Sequence, residues 1–277
     1  MLNTKTLRNA LIHTSYFLSR STRSHGGRVL CFHDIGRTDL FRNKMQWLKK
    51  NYTILSVEDL ITRGGDGNCV AVTFDDGYAG WHEHAVAVLE ALGIPAVFFI
   101  CSGLVGLEGT QAQHFMRDNM RRTRKLHFIT KPQLRTLAEH PLFQIGSHTV
   151  SHIDLGHEWD EQTLQREIAG DRRTLEQWSG CRVKWFAYPF GTPGTISHKA
   201  MRFIREQGFN AAFSLIPSWW DSGRNPLMVG RDGLDIQDDT SLWRAWLNGR
   251  YDSLYAVKSF LTSPFKKSAR TPTKQPC

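Results

Sequence analysis

Between residues 29 and 216 the chain alternates short apolar runs with amphipathic stretches. The apolar runs are VLCFH (29–33), YTIL (52–55), VAVTF (70–74), AVFFI (96–100), FQIGSH (143–148), WFAYP (185–189) and AAFSLI (211–216). They are apolar throughout instead of alternating, as parallel strands covered on both faces should be. Of the stretches between them, 80–93 closes on Gly93 before Pro95, 160–180 opens with acids and closes on Gly180, and 198–208 closes on Gly208. That punctuation marks helices ending in a left-handed cap. About seven strand–helix repeats predict an α/β fold, a distorted (β/α) barrel of about seven parallel strands. The stretch 102–130, rich in glycine and arginine, is expected to be an irregular excursion near a site.

In such folds the residues just past the C-terminal strand ends converge on one rim. VLCF ends at His33, VAVTF at Asp75 and Asp76, FQIGS at His148, and WFAY runs into the turn Pro189-Phe190-Gly191. Adjacent carboxylates repel and are costly to desolvate, so a cation, a proton or strong donors must compensate them. His148 and His152 stand four apart, which in one helical turn would place both imidazoles on the same side, ready for a divalent metal. Alone, that spacing reads as structural. Opposite a strand end with two carboxylates it reads as a His, His, Asp set that leaves coordination positions open. One carboxylate would bind the cation; the other would accept a proton from cation-bound water, which ionises near neutral pH.

At 277 residues and 40% hydrophobic content the chain can bury one large core. Its formal charge of +9 gathers at the ends: no acid precedes Asp34 and none follows Asp252. Such charge favours polyanions or phospholipid surfaces. Zinc-finger spacing, RNA-recognition signatures and long basic stripes are absent, so nucleic acid is not expected. The organisation read from these shifts is a basic extension over 1–26, a catalytic domain over 27–255 and a flexible basic tail over 256–277. The first residues lack the apolar core and cleavage site of a secretory leader, and no apolar run reaches transmembrane length. A cytoplasmic protein is expected, with peripheral contact to the anionic inner membrane face through its basic ends. Five cysteines without a CxxC indicate neither a disulfide framework nor a cysteine zinc site.

TFDDG followed by HTVSH resembles the NodB-type polysaccharide deacetylases, carbohydrate esterase family four, with coverage from about Val29 to the 230s. The resemblance implies a metal-dependent hydrolase that removes acetyl groups from N-acetylated sugars. It makes Asp75 the general base and Asp76, His148 and His152 the ligands of one divalent ion, zinc by default, with cobalt or nickel acceptable. Thr149 would steady the loop by hydrogen bonding. Tyr188, Phe190 and Gly191 would line the groove, the Phe190 amide holding the oxyanion. Two departures stand out. Ala187 occupies the place of an arginine that orients the base in many members, leaving Arg231 or Asp232, in VGRDGLD, for that role. The usual late histidine is also missing, the last being His198. His33, in VLCFHDIG, matches instead the early histidine of the circularly permuted poly-N-acetylglucosamine deacetylases and is the expected general acid.

The implied substrate is an N-acetylated glycan or lipid-linked glycan, with acetate released. A formyl group or a cyclic amide would suit the same site, and a non-catalytic carbohydrate-binding protein would retain the scaffold. His82 and His84 read as a helix start, Trp243 and Trp246 as packing residues. Trp219 and Trp220 read either as a sugar platform or as core anchors.

Overall fold

In a computed structural model of the chain, described over residues 26–120, 127–252 and 255, all seven apolar runs contain strands. These are β1 (Gly27–Phe32), β2 (Thr53–Ile54), β3 (Cys69–Phe74), β4 (Ala96–Ile100), β5 (Phe143–Ser147), β6 (Trp185–Ala187) and β7 (Ala211–Phe213). A two-residue β8 (Asp232–Gly233) adds an eighth. The order is β7-β6-β5-β4-β3-β1-β8, with β2 on β3, and every pairing is parallel. Val229 bridges to Phe213 of β7, while Asp232 pairs with Leu30 of β1. The segment 229–233 therefore spans both sheet edges and closes a distorted (β/α) barrel. Sequence pattern missed β8 because it is two residues long and carries an aspartate and a glycine.

The helices follow the expected punctuation. Gly93, Gly180 and Gly208 all have positive φ, at 64°, 72° and 73°. The stretch 102–130 departs from expectation, since it contains a helix (Gly109–Met120). That helix buries Ala112, Met116 and Met120, with Phe115 packed half-buried beside them, a narrow stripe at three- and four-residue intervals. So narrow a stripe is hidden in sequence by the polar residues around it.

Alternation along each central strand divides two cores. Leu30, Phe32, Val70, Val72, Phe74 and Phe98 pack outward against the helices, whereas Val29, Ala71, Val97, Phe99, Trp185 and Phe213 fill the barrel. Each such large side chain contributes about 1.5–3 kcal/mol by leaving water. The interior rows continue past the strand ends. Ala71 and Thr73 lead to Asp75, Val29 and Cys31 lead to His33, and the pairing of Cys31 with Thr73 sets those two row ends side by side.

The tryptophans belong to this packing. Trp219 and Trp220 are both buried. Trp220 Nε1 donates to the Leu60 carbonyl at 3.1 Å, and Trp219 lies 5.0 Å from the Arg28 guanidinium. They are core anchors, not a sugar platform. Trp243 packs on Phe32 and Trp47, and Trp246 on Tyr251. The basic ends expected to meet a membrane lie outside the described residues. Within those residues no helix is long and apolar enough to cross a bilayer.

Candidate active site

Among the described residues, the non-glycine positions with positive φ are Asp76 (90°), Thr149 (66°), His152 (55°) and Phe190 (60°). All four lie on the rim loops after β3, β5 and β6. Such backbone costs about 1–3 kcal/mol per residue and persists only where its surroundings over-determine it. His148 and His152 are consequently not on a helical turn. They converge because the chain turns through left-handed backbone at Thr149 and at His152 itself.

Two buried acids hold that loop, and sequence reading missed both. Asp171 accepts from the Ser102 amide (2.8 Å), the Ser147 hydroxyl (2.6 Å) and the His148 amide (3.2 Å). Glu167 Oε2 accepts from the amide and hydroxyl of Ser151, each at 2.9 Å. The signal was present as two acids four apart on the buried face of one helical run (Glu161–Leu164, Gln165–Ala169, Gly170–Ser179). Thr149 does not have the expected loop-bonding role, because its hydroxyl is buried without a hydrogen-bond partner.

Asp76 Oδ1 lies 3.5 Å from His148 Nε2 and 3.4 Å from His152 Nε2, and a ligand atom from each of the three falls within 4.8 Å of the others. His148 Nδ1 donates to the Ala187 carbonyl at 2.8 Å, which turns Nε2 inward. Asp76 Oδ2 and His152 Nδ1 are buried with no hydrogen-bond partner, and burying a carboxylate oxygen so is costly. Burial pushes the Asp76 carboxyl up, but the hydrogen bond from His148 and the fields of His33 and His152 outweigh it and keep it ionised. Burial lowers the His152 imidazole to about 4, leaving it neutral at pH 7. On His148 the carboxylates of Asp75 and Asp76 overcome burial and raise the pKa, a pull toward positive charge that a cation would satisfy in place of the proton. Two imidazoles and an ionised carboxylate fit a divalent ion such as zinc.

Beside this trio Arg231 grips Asp75. Nη1 donates to Oδ1 and Nη2 to Oδ2, both at 2.7 Å, and the Cys31 thiol donates to Oδ2 at 3.3 Å. Arg231 is itself fixed by Thr73 Oγ1 (3.2 Å) and the Ser214 carbonyl (3.1 Å). Burial pushes Asp75 up, yet Arg231, with His148 and His33, holds it below its ordinary value. Asp232 plays no part here. Successive strand residues face opposite ways, and Asp232 instead accepts from Arg28 Nε (2.7 Å) and Nη2 (2.5 Å). Arg28 also bonds Asp252 at 2.7 and 2.9 Å, tying β1 and β8 to the segment after the helix Thr240–Leu247.

His33 is half-buried, with a ligand atom within 4.8 Å of those of Cys31 and Asp75, and its carbonyl accepts from Trp81 Nε1 at 2.9 Å. Phe190 sits in a tight turn closed by the Gly191 amide on the Pro189 carbonyl (2.7 Å), its ring edge-on to His152 at 4.6 Å. A Cβ on Gly191 would come within 2.5 Å of the Leu215 nitrogen, so the turn requires glycine. Tyr188 is buried beneath the rim, its hydroxyl donating to the Leu227 carbonyl at 3.0 Å, away from the reacting groups. His82 meets the Gln133 carbonyl (3.1 Å) and His84 the Thr38 hydroxyl (2.8 Å), two separate contacts on the helical turn Trp81–Ala85.

The sequence model of the polysaccharide deacetylases matches residues 62–212. The Bacillus subtilis protein YxkH is 26% identical over 157 residues, covering 54% of this chain and 49% of its own. The Escherichia coli poly-β-1,6-N-acetyl-D-glucosamine N-deacetylase is 29% identical over 119 residues, 41% of this chain and 17% of its own. The chain thus spans about half the length of one curated relative and far less of the other. Among solved structures, IcaB from Ammonifex degensii superposes with a TM-score of 0.65 at 24% identity, covering 81% of this chain and 98% of its own. The Streptococcus pyogenes deacetylase PplD gives 0.64 at 16% identity, with coverage of 80% and 98%. These two likenesses concern the fold. The match over 62–212 covers more than half of the chain and contains Asp75, Asp76, His148 and His152, and on that ground the chain belongs to the polysaccharide deacetylase family.

Proposed function

We propose that this protein is a metal-dependent carbohydrate N-deacetylase that releases acetate from N-acetylglucosamine residues of a polysaccharide, with residues 27–255 as the catalytic unit. One observation carries the reading. A buried Asp, His, His trio with an unpartnered carboxylate oxygen adjoins a second carboxylate that an arginine holds ionised and aligned. The E. coli relative, named for poly-β-1,6-N-acetyl-D-glucosamine, supports the choice of glycan.

Asp76, His148 and His152 would hold the divalent ion, zinc by default. When bound, that ion supplies Lewis acidity and a water acidic enough to attack near neutral pH. Asp75, ionised and fixed by Arg231 and Cys31, accepts the proton of the attacking water. The Phe190 backbone amide, set by its tight turn, is the donor for negative charge developing on the acetamide carbonyl oxygen. His33, at the neighbouring row end, gives a proton to the departing amine, and a free amino sugar leaves.

The test is elemental analysis of the purified protein together with acetate release from β-1,6-linked N-acetylglucosamine oligomers. About one divalent ion per chain and sustained acetate release are expected. Asp75→Asn should keep the ion and lose about 10²–10⁴-fold in turnover. Saturable glycan binding by loaded protein with no acetate release would overturn the reading in favour of a non-catalytic binder. Turnover confined to N-formyl or cyclic amide compounds would overturn the choice of acyl group.

A further inference from the structure

Beside the trio, a second group of side chains closes to ligand distance among the described residues. One ligand atom each from Cys31, His33 and Asp75 lies within 4.8 Å of the others, and the group shares no residue with Asp76, His148 and His152. Strand register creates it. Cys31 and His33 stand two apart on the interior row of β1, Cys31 pairs with Thr73 of β3, and Asp75 continues that row beside His33.

A thiol, an imidazole and a carboxylate together form a donor set for zinc and other thiophilic ions. The spacing fits as well. Zinc bonds of about 2.3 Å to sulfur and about 2.0–2.2 Å to a carboxylate oxygen, set at a tetrahedral angle, hold the two ligand atoms about 3.6 Å apart. Cys31 Sγ and Asp75 Oδ2 are 3.3 Å apart, so an ion can replace the thiol proton between them with a shift of a few tenths of an ångström. Arg231 occupies one lone pair on each Asp75 oxygen and leaves others for a metal. Its charge opposes a second cation, so this site fills only after the trio. Cys31 and Asp75 are buried, whereas His33 is half-buried and lines a cavity of about 680 Å³ between the loops after β1 and β8. A hydrated ion therefore reaches the group at the imidazole.

We infer that Cys31, His33 and Asp75 form a second, inhibitory metal site, filled by zinc or a similar thiophilic ion present in excess of the one the trio holds. Binding exchanges the Cys31 thiol proton for a sulfur–metal bond and releases that proton to water, while His33 binds in its neutral form and Asp75 in its ionised form. A coordinated His33 nitrogen carries no proton to the amine, and a coordinated Asp75 accepts none from water, so occupancy stops turnover. The inhibition rests on the deacetylase reading; the metal site itself does not.

The test uses the full chain loaded with one equivalent of cobalt(II). Further cobalt is added and followed by sulfur-to-cobalt charge-transfer absorption, to which the trio, having no sulfur, contributes nothing. In parallel, acetate release by the zinc-loaded chain is measured against rising free zinc, each variant relative to its own uninhibited rate. The unaltered chain should develop the absorption beyond the first equivalent and lose turnover in excess zinc. Cys31→Ser keeps a donor to Asp75 but not the sulfur. It should lose the absorption and need about tenfold or more free zinc for the same inhibition. His33→Gln should develop the absorption only at about tenfold or more higher cobalt, a reading that needs no turnover. The site would be overturned by any of three results: no thiolate absorption in the unaltered chain, absorption that survives Cys31→Ser, or equal zinc sensitivity with and without the sulfur. If no form releases acetate while the absorption depends on Cys31 and His33, the metal site stands and the deacetylase reading fails.

Discussion

Replacing Arg231 with methionine would strand Asp75. The two side chains are 0% and 2% exposed and share two parallel bonds of 2.7 Å. Breaking a buried pair of this kind costs about 3–5 kcal/mol, mainly because the surviving charge is left without a partner. Whole-protein stability is about 5–15 kcal/mol, so the loss is a large share of it. At about 2–4 °C per kcal/mol for a chain this size, the melting temperature should fall by about 6–20 °C. The assay is thermal unfolding at fixed metal loading, run beside turnover. Arg231→Lys keeps the charge but not the fork and should fall between wild type and Arg231→Met. Adding Asp75→Leu to Arg231→Met should recover much of the lost stability, because the orphan charge is then gone. The pH dependence has a defined sign. Asp75 is depressed in the fold, so its contribution is complete above the unfolded value of about 3.9 and is lost as pH falls through the folded value. In Arg231→Met, burial loses its main opponent and the carboxyl moves upward, so the variant's deficit should widen with rising pH. A melting temperature within about 2 °C of wild type, with turnover unchanged, would refute the reasoning.

Two further outcomes follow from the supports of the site. Asp171→Asn turns one of the two acceptor oxygens that serve Ser102, Ser147 and His148 into a donor, and zinc affinity, read by chelator competition, should weaken by about 10–100-fold. Cys31→Val removes the thiol donor to Asp75 while keeping similar bulk, and should lower kcat by about 3–10-fold without moving KM. Cys31→Ser, which restores a donor, should recover most of that loss.

The parts of this protein legible in sequence are those encoded over a few residues. Apolar runs marked the strands, glycines marked the helix ends, and strand-end position gathered Asp75, Asp76, His148 and His33 onto one rim. The short pattern of TFDDG and HTVSH carried the family. Local rules failed where geometry departed from them. HTVSH suggested a helical turn, whereas the imidazoles converge through left-handed backbone at Thr149 and His152. The helix Gly109–Met120 escaped notice because its apolar residues, Ala112, Phe115, Met116 and Met120, are outnumbered by polar ones.

Which partner each buried charge finds was settled only by the tertiary structure. Arg231 and Asp232 are neighbours in sequence and equal candidates to hold the base, yet a closed barrel sends one inward and the other outward. Arg231 reaches Asp75 across 156 residues, and Asp232 reaches Arg28 across 204. Contacts that distant depend on which strands lie side by side and in what register, and no local pattern carries that information. The chain by itself fixed the chemistry available, because side-chain types and strand ends are local properties. The order of the sheet decided which groups face one another, because a buried ion pair forms only where separate strands bring opposite charges within bonding distance.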